Sequence, residues 1–469
     1  MHRRDFMGAC AAATAATSTA APRPKPNILQ ILIDDMGYAD LGRYGGVAAT
    51  PHIDRLASEG IRFTQAYVAS PVCSPSRVGI TTGQCPSRHY IYSYLDSRAS
   101  HRKRGMRDYL DPAAPSVART FHQAGYATGH FGKWHMGGGR DVGDAPLPTD
   151  YGFDESFTSF EGLGDRVLPP GNLSKLSEKL GRGTITHAPQ RELTSLYVDR
   201  TLAFTQKAKA ARKPFYTHLW LNEVHDAYDP PPDLVDKYAR FAPRKYLQQY
   251  YATIEGMDRQ LGRLLAGLEA QGLARNTIVI LLSDNGPTAW PRYYNEKQEA
   301  PGSTGGLRGR KWSLYEGGIR VPMIARWPGR IPPGRTDERT VISSLDLFPT
   351  CCRMAGIATP KVAFDGEDCS AAVLGKPSRR RKDLYWEYGR DASYLRPGLP
   401  QDQSPNLALR SENWKLLLQD DGSQLALYDL AADRAEQHNL AEQKPKLART
   451  LADRLLAWRR SLPTLQGPQ

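Results

Sequence analysis

At 469 residues the chain is long enough for one large domain plus a smaller one, with a sizeable buried core. Its 62 Lys and Arg outnumber 49 Asp and Glu, a formal net charge of +13, so a polyanionic partner is expected: nucleic acid, an anionic surface or an acidic glycan. Zinc-finger spacing, RNP-like aromatics and long basic helices are all missing, which argues against nucleic acid, and no run is apolar enough to span a membrane.

The opening MHRRDFMGACAAATAATSTAAPRPKPN sets twin arginines before a short Ala/Thr-rich run and small residues. That predicts an export signal over 1–21 and a periplasmic or secreted mature chain. Cys10 leaves with the signal, and the residues before it fit lipidation poorly. NILQILIDD (27–35) predicts a short buried strand ending in Asp34 and Asp35. TPHIDRLASEG predicts a helix with Thr50 as N-cap, Pro51 in its first turn and Gly60 as its stop. IRFTQAYV reads as a strand, and SPVCSPSRVGITTGQ (70–84) follows it with Cys73 between two prolines.

Further on, PSVARTFHQAG predicts a helix, YATGHFGKW a strand, SLYVDRTLAFTQKAKA a helix and KPFYTHLWLN a strand. A long amphipathic helix near 245–271 and the strand NTIVILLSDNG (276–286) come next. Alternating helices and strands apolar on both faces predict an α/β fold, a large, mostly parallel sheet sandwiched by helices, over 27–375. KPSRRRK (376–382) reads as a surface connection to a small C-terminal α+β subdomain, an antiparallel sheet plus one helix, over 383–469. Cys73, Cys85, Cys351, Cys352 and Cys369 form no CxxC pair, so neither a disulfide scaffold nor a zinc site is expected; Cys351 and Cys352 read as small hydrophobes in a buried helix.

In such sheets ligands gather at the carboxyl ends of the strands, where this chain places Asp34, Asp35, Lys133, His135, His225, Asp284 and Asn285. Asp34, Asp35, Asp284 and the Asn285 amide are an all-oxygen set, which favours a hard cation such as calcium or magnesium over zinc. Arg77, Lys133 and Lys311, with His135 and His225, could surround a tetrahedral oxyanion and neutralise charge as a bond to it breaks. A thiolate would be an odd neighbour for such a metal. Cys73 is a nucleophile, a metal ligand, a disulfide half or the precursor of another group.

CSPSR followed by VGITTGQ resembles the signature of the type I sulfatases, whose cysteine is oxidised to formylglycine. PNILQILIDDMGYADLGRYGG, TPHIDRLASEGIRFTQAYV, TGHFGKWHMG, ILLSDNGP, GLRGRKWSLYEGGIRVPMIARWPG and the C-terminal NWKLLL…LYDLAADRAEQHNLA resemble that family in the same order. The resemblance implies an alkaline-phosphatase-like fold and hydrolysis of a sulfate ester, most simply on a sulfated glycan. It implies one calcium ion held by Asp34, Asp35, Asp284, Asn285 and residue 73, and a formylglycine-generating enzyme as maturation partner. Formylglycine hydrate at 73 would attack sulfur, with Arg77 holding it, Lys133, Lys311 and His225 binding sulfate, and His135 assisting the hydrate; His225 or Lys311 would protonate the leaving alcohol.

Three features depart from that family, the third being the length and basicity of 94–112. VHDAY carries Ala227 where the family often has proline after His225, and Arg310 and Trp312 flank Lys311 where glycine is usual, which places two bulky side chains at the pocket rim. YLDSRASHRKRGMRDYLDP (94–112) is long and basic: Arg102, Lys103, Arg104 and Arg107 contact neighbouring sulfates or uronates, or form a solvated loop. Phosphonate monoester or phosphodiester hydrolysis on the same site, and glycan binding without catalysis, are the alternatives.

Overall fold

The computed structural model describes residues 24–171, 173–390 and 394–464. The expected export signal and Cys10 lie outside them. No helix among the described residues is long and apolar enough to cross a membrane.

The main sheet has eleven strands among the described residues: β1 (Asn27–Ile33), β2 (Ile61–Tyr67), β3 (Ala127–Lys133), β4 (Glu155–Ser159), β5 (Arg166–Leu168), β6 (Ile185–His187), β7 (Phe215–Trp220), β8 (Thr277–Ser283), β9 (Arg320–Arg326), β10 (Arg335–Asp337) and β11 (Ile342–Ser343). They run β10-β2-β9-β8-β1-β7-β3-β4-β5-β6, with β11 also paired to β2. β1 lies between β7 and β8, parallel to both, and every one of its residues is buried. Because strand side chains alternate, Ile28 and Leu32 enter one apolar cluster and Leu29, Ile31 and Ile33 the other. The helices Leu193–Ala210 and Lys245–Ala270 cover the second face; Val117–Gln123 and Leu347–Ala355, the latter with buried Cys351 and Cys352, cover the first. The five cysteines of the described residues are free and buried.

The structure adds one strand and changes two local expectations. β9 is antiparallel to both neighbours and is hard to read as a strand because Pro322 interrupts RVPMIAR. The register of β2 against β9 shifts between Phe63 and Ala66, opposite that proline, so a bulge absorbs the residue that has no N–H to offer. The helix Pro51–Ser58 forms as expected, but Thr50 does not cap it: its hydroxyl accepts from Gly42 N at 3.0 Å. The buried carboxylate of Asp258 serves instead, accepting from His52 N and Ile53 N at 3.1 and 2.8 Å. The 376–382 connection is only partly a surface one, because Arg380 is tucked in against the buried Asp346 carboxylate at 2.5 and 3.1 Å.

A second sheet follows, antiparallel in the order β12 (Leu384–Glu387), β13 (Leu407–Ser411), β14 (Trp414–Leu418) and β15 (Ala426–Asp429). One face packs Leu407, Leu409, Leu416 and Leu418 against Leu451 and Leu455 of the helix Pro445–Ser461. Its other face sends Trp386, Ala408, Leu417 and Tyr428 into the main-sheet core. At this seam Lys415, with no exposed side-chain surface, lies 3.0 Å from Glu316 and 2.9 Å from Glu436. Against the upward push of burial, Lys415, then Arg320 and Arg410, hold Glu316 below the usual carboxylate range; burial and Glu316 leave Glu436 above it.

Removing one partner of a buried ion cluster strands the others. Lys415→Met should therefore cost on the order of 3–5 kcal/mol at pH 8. Without the lysine the facing carboxylates titrate above their unfolded values, so the folded variant takes up a proton as pH falls and the deficit shrinks toward pH 5. Urea unfolding at the two pH values checks both magnitude and sign.

Candidate active site

Parallel neighbours end on the same edge of a sheet, which brings distant segments of this chain together. Asp34 and Asp35 follow β1, Asp284 and Asn285 follow β8, and Lys133 ends β3. Asp284 N donates to Ile33 O at 3.0 Å, locking the two acidic ends side by side. Asp35 sits in the left-handed region at φ 59, a turn that Asp tolerates better than most residues. Gly132, at φ +119, lets β3 press against β7: a Cβ there would lie 1.8 Å from Trp220 O.

Cys73 opens the helix Cys73–Thr82, all of whose residues are buried. Pro75 is tolerated because it falls in the first turn, where backbone N–H groups have no helical partner. The spacing to Arg77 is one helical turn, so both side chains share a face. Arg77 Nε and Nη2 donate to Asp284 Oδ2 at 3.0 and 2.7 Å, and Nη1 donates to Lys133 O at 2.8 Å. The guanidinium also lies 5.4 Å from the Trp220 ring centre.

Lys133 Nζ is 2.5 Å from Asp34 Oδ2, and Lys311 Nζ is 2.7 Å from both Asp35 oxygens. Asn285 Nδ2 donates to Asp35 Oδ1 at 2.8 Å. His225 Nε2 stands 3.6 Å from Asp35 Oδ2, and its Nδ1 is 2.6 Å from Asp226 O. His135 reaches Leu95 O through Nε2 at 3.2 Å and packs edge-on to Phe160. All ten candidate residues therefore belong to one constellation. Asp34, Cys73, Lys133, His135, His225 and Lys311 line a cavity of about 680 Å³, while Arg77, Asp35, Asp284 and Asn285 support it from beneath.

Burial raises the Cys73 thiol to about 11 despite Lys133 and Lys311. Asp34 titrates low, because Lys133, His225 and Arg77 outweigh its burial; burial and the Asp34 charge push Asp284 up. Burial, then Lys133 and Arg77, drive His135 well down, so its imidazole is neutral. Asp35 and Asp34 hold the Lys311 proton firmly in spite of burial.

Donor atoms of Asp34, Cys73 and Asp284 lie within 4.8 Å of one another, and the buried Asp34 Oδ1 and Asn285 Oδ1 have no hydrogen-bond donor. Orphaned buried acceptors among carboxylates are what a hard cation needs, so these residues fit one. Three carboxylates here face Arg77, Lys133 and Lys311, so a divalent cation and an anionic ester can enter together with little net charge.

The rim holds groups that short motifs do not reveal. Arg292 pairs with Asp226 at 2.9 Å and Arg140 with Glu161 at 3.0 Å. Trp312, at φ 71, lies 5.7 Å from Trp290, which is 39 % exposed. Trp312 takes its expected rim place, but Arg310 turns away to the carbonyls of Thr288, Ala300, Pro301 and Gly302. The basic 94–112 segment also differs from expectation. Arg104 is buried beside Asp96 at 2.9 Å and Arg107 binds Asp111 at 2.9 Å; only Arg102 and Lys103 are exposed, and the segment reaches the cavity through Tyr94 and Asp96.

Residues 26–357 match the family described as Sulfatase, and residues 309–461 match N-sulphoglucosamine sulphohydrolase, C-terminal. The chain is 30% identical to N-acetylgalactosamine-6-O-sulfatase of Bacteroides thetaiotaomicron, over 92% of each chain. It is 29% identical to human arylsulfatase A, over 91% of this chain and 85% of that one. The crystal structure of Ps i-CgsB in complex with k-i-k-neocarrahexaose superposes with a TM-score of 0.78 at 25% identity, over 94% of each chain. With this match spanning the strands that build the site, the chain belongs to the sulfatase family of the alkaline-phosphatase superfamily and is a sulfuric ester hydrolase.

Proposed function

We propose that the chain is an exported sulfatase that removes sulfate from a sulfated sugar, with position 73 converted to formylglycine by a formylglycine-generating enzyme. The observation that carries this reading is Cys73 itself, on the cavity floor with two lysines, yet raised to about 11 as a thiol. A thiol so protonated is a poor nucleophile at neutral pH. The hydrated aldehyde would supply an oxygen nucleophile in its place. A calcium ion held by Asp34, Asp35, Asp284, Asn285 and residue 73 would supply Lewis-acid polarisation of oxygen when bound.

The side chains divide the remaining work. Lys133 and Lys311 neutralise the sulfate oxygens, each fixed in place by its aspartate. Arg77 holds the end of β8 and the end of β3 in register under residue 73. Neutral His135 is the proton acceptor for the hydrate. Lys311 keeps its proton, so His225, with 31% of its side chain exposed, is the acid for the leaving alcohol. At the rim Trp290 and Trp312 offer ring faces to a sugar, and the Trp312 Nε1–H, buried without an acceptor, offers a donor to a hydroxyl.

In protein matured with a formylglycine-generating enzyme, the tryptic mass of residue 73 should show the aldehyde or its hydrate. Turnover of sulfated sugars should exceed that of aryl phosphonates, and dialysis against a chelator should abolish it until calcium is restored. Cys73→Ala should lose at least about 10⁴-fold in kcat, and Lys133→Ala and Lys311→Ala about 10²–10³-fold. An unmodified thiol in fully active protein overturns the mechanism; preference for phosphonates overturns the substrate class; binding without turnover by modified, calcium-loaded protein leaves a glycan-binding protein.

Trp290→Ala should raise KM for a sulfated monosaccharide about 5–10-fold with kcat changed less than twofold, the pattern of lost uniform binding. Steady-state kinetics on one sugar sulfate decides it, since a fall in kcat alone would place Trp290 elsewhere in the reaction.

A further inference from the structure

The connecting segment KPSRRRK is left over by the catalytic site, and the fold gives it company. Arg379, Arg381 and Lys382 line a groove of about 930 Å³ with Arg339, which follows β10, and Arg454 of the C-terminal helix. All five are exposed, and only two carboxylates, Asp383 and Glu412, line the same groove. The groove shares no residue with the catalytic cavity.

Its wall also contains Arg410, 2 % exposed. Arg410 donates to Tyr67 Oη, Gln65 Oε1 and Glu412 O, with no carboxylate at ion-pair distance among the described residues. Its hydrogen bonds all go to neutral acceptors, so its charge is shared between the buried Glu316 behind it and the groove in front. The carboxylates are already shared: Arg379 pairs with Glu412, and Arg454 with Asp383 at 2.5 Å. The Arg379–Glu412 pair is exposed on both sides, so it is worth about 0–1 kcal/mol and exchanges readily for a better anion. Arg339 and Arg381 have no ion-pair partner among the described residues, and guanidinium forks match the paired oxygens of sulfate and carboxylate groups.

We propose that this groove is a second binding site for a sulfated polysaccharide, separate from the catalytic cavity. The proposal rests on the sulfatase reading for its choice of ligand, but its test does not depend on catalysis.

The probe is dextran sulfate, titrated by calorimetry into the full chain carrying Cys73→Ala. Adding R339A/R379A/R381A should raise Kd about 10-fold or more in low salt and reduce the slope of log Kd against log salt by about 2–3, one unit per lost contact. In matured protein without the Cys73 change, the same triple variant should turn over 4-nitrophenyl sulfate within twofold of the parent. Glu412→Ala, which frees Arg379, should tighten dextran sulfate about 2–3-fold, and this result needs no loss of function. Unchanged affinity in the triple variant overturns the proposal, as does equal tightness for polyphosphate or single-stranded DNA, or a matching loss of 4-nitrophenyl sulfate turnover. If matured protein turns over no sulfate ester at all while the groove variants behave as stated, the catalytic reading fails and the groove stands.

Discussion

Arg77 sets the terms for the rest of this structure. Asp34 and Asp284 are driven together by the pairing of β1 with β8, and two buried carboxylates at that separation repel strongly. The guanidinium answers by binding Asp284 with two nitrogens, standing 3.6 Å from Asp34 and taking the Lys133 carbonyl with a third. One side chain thus ties the ends of β1, β8 and β3 to the helix that carries Cys73. Lys133 and Lys311 complete the balance, so the floor is neutral as a unit although it contains at least six buried charges. Removing any member leaves another uncompensated, which is why this constellation acts as one object.

The small C-terminal sheet contributes to that object at second hand. Lys311 and Trp312 lie on a loop that returns to β9, and its end is clamped from below. Glu316 N donates to Glu436 Oε2 at 2.6 Å, and Arg308 reaches Glu436 O at 3.1 Å. Lys415 of β14 neutralises Glu316 and Glu436 together. Packing of the second sheet is therefore coupled to where Lys311 points. Trp312 in the left-handed region is the strained residue on this loop, at the point where it meets the cavity.

The excess of positive charge falls into two populations. Inside, Arg77, Lys133 and Lys311 are matched by aspartates and contribute little to the outer field. Outside, Arg339, Arg379 and Arg381 and their neighbours stand over few carboxylates. The first population shapes chemistry at one sulfur, and the second shapes the field that a long polyanion meets.

Much of this was legible in the chain itself. Apolar runs ending in Asp34–Asp35 and Asp284–Asn285, and the Cys73–Pro75–Arg77 spacing, report local requirements: a strand buried on both faces, a turn, a helix start. Local requirements leave their mark in local sequence. Thr50 and Asp258 show where that stops, because the expected cap was adjacent and the one used lies two hundred residues away. β9 was hidden because only its register against β2 makes room for Pro322. In the same way SRRRK and the arginines of 94–112 look alike as sequence. The fold buries Arg104 and Arg380 against Asp96 and Asp346, and it leaves Arg339, Arg379 and Arg381 facing one groove. The sequence by itself determined the class of fold and the identity of the chemically able residues. Which charges are spent inside and which remain free was decided by the tertiary structure alone, because a charge is neutralised by what lies within a few ångströms in space, whatever its distance along the chain.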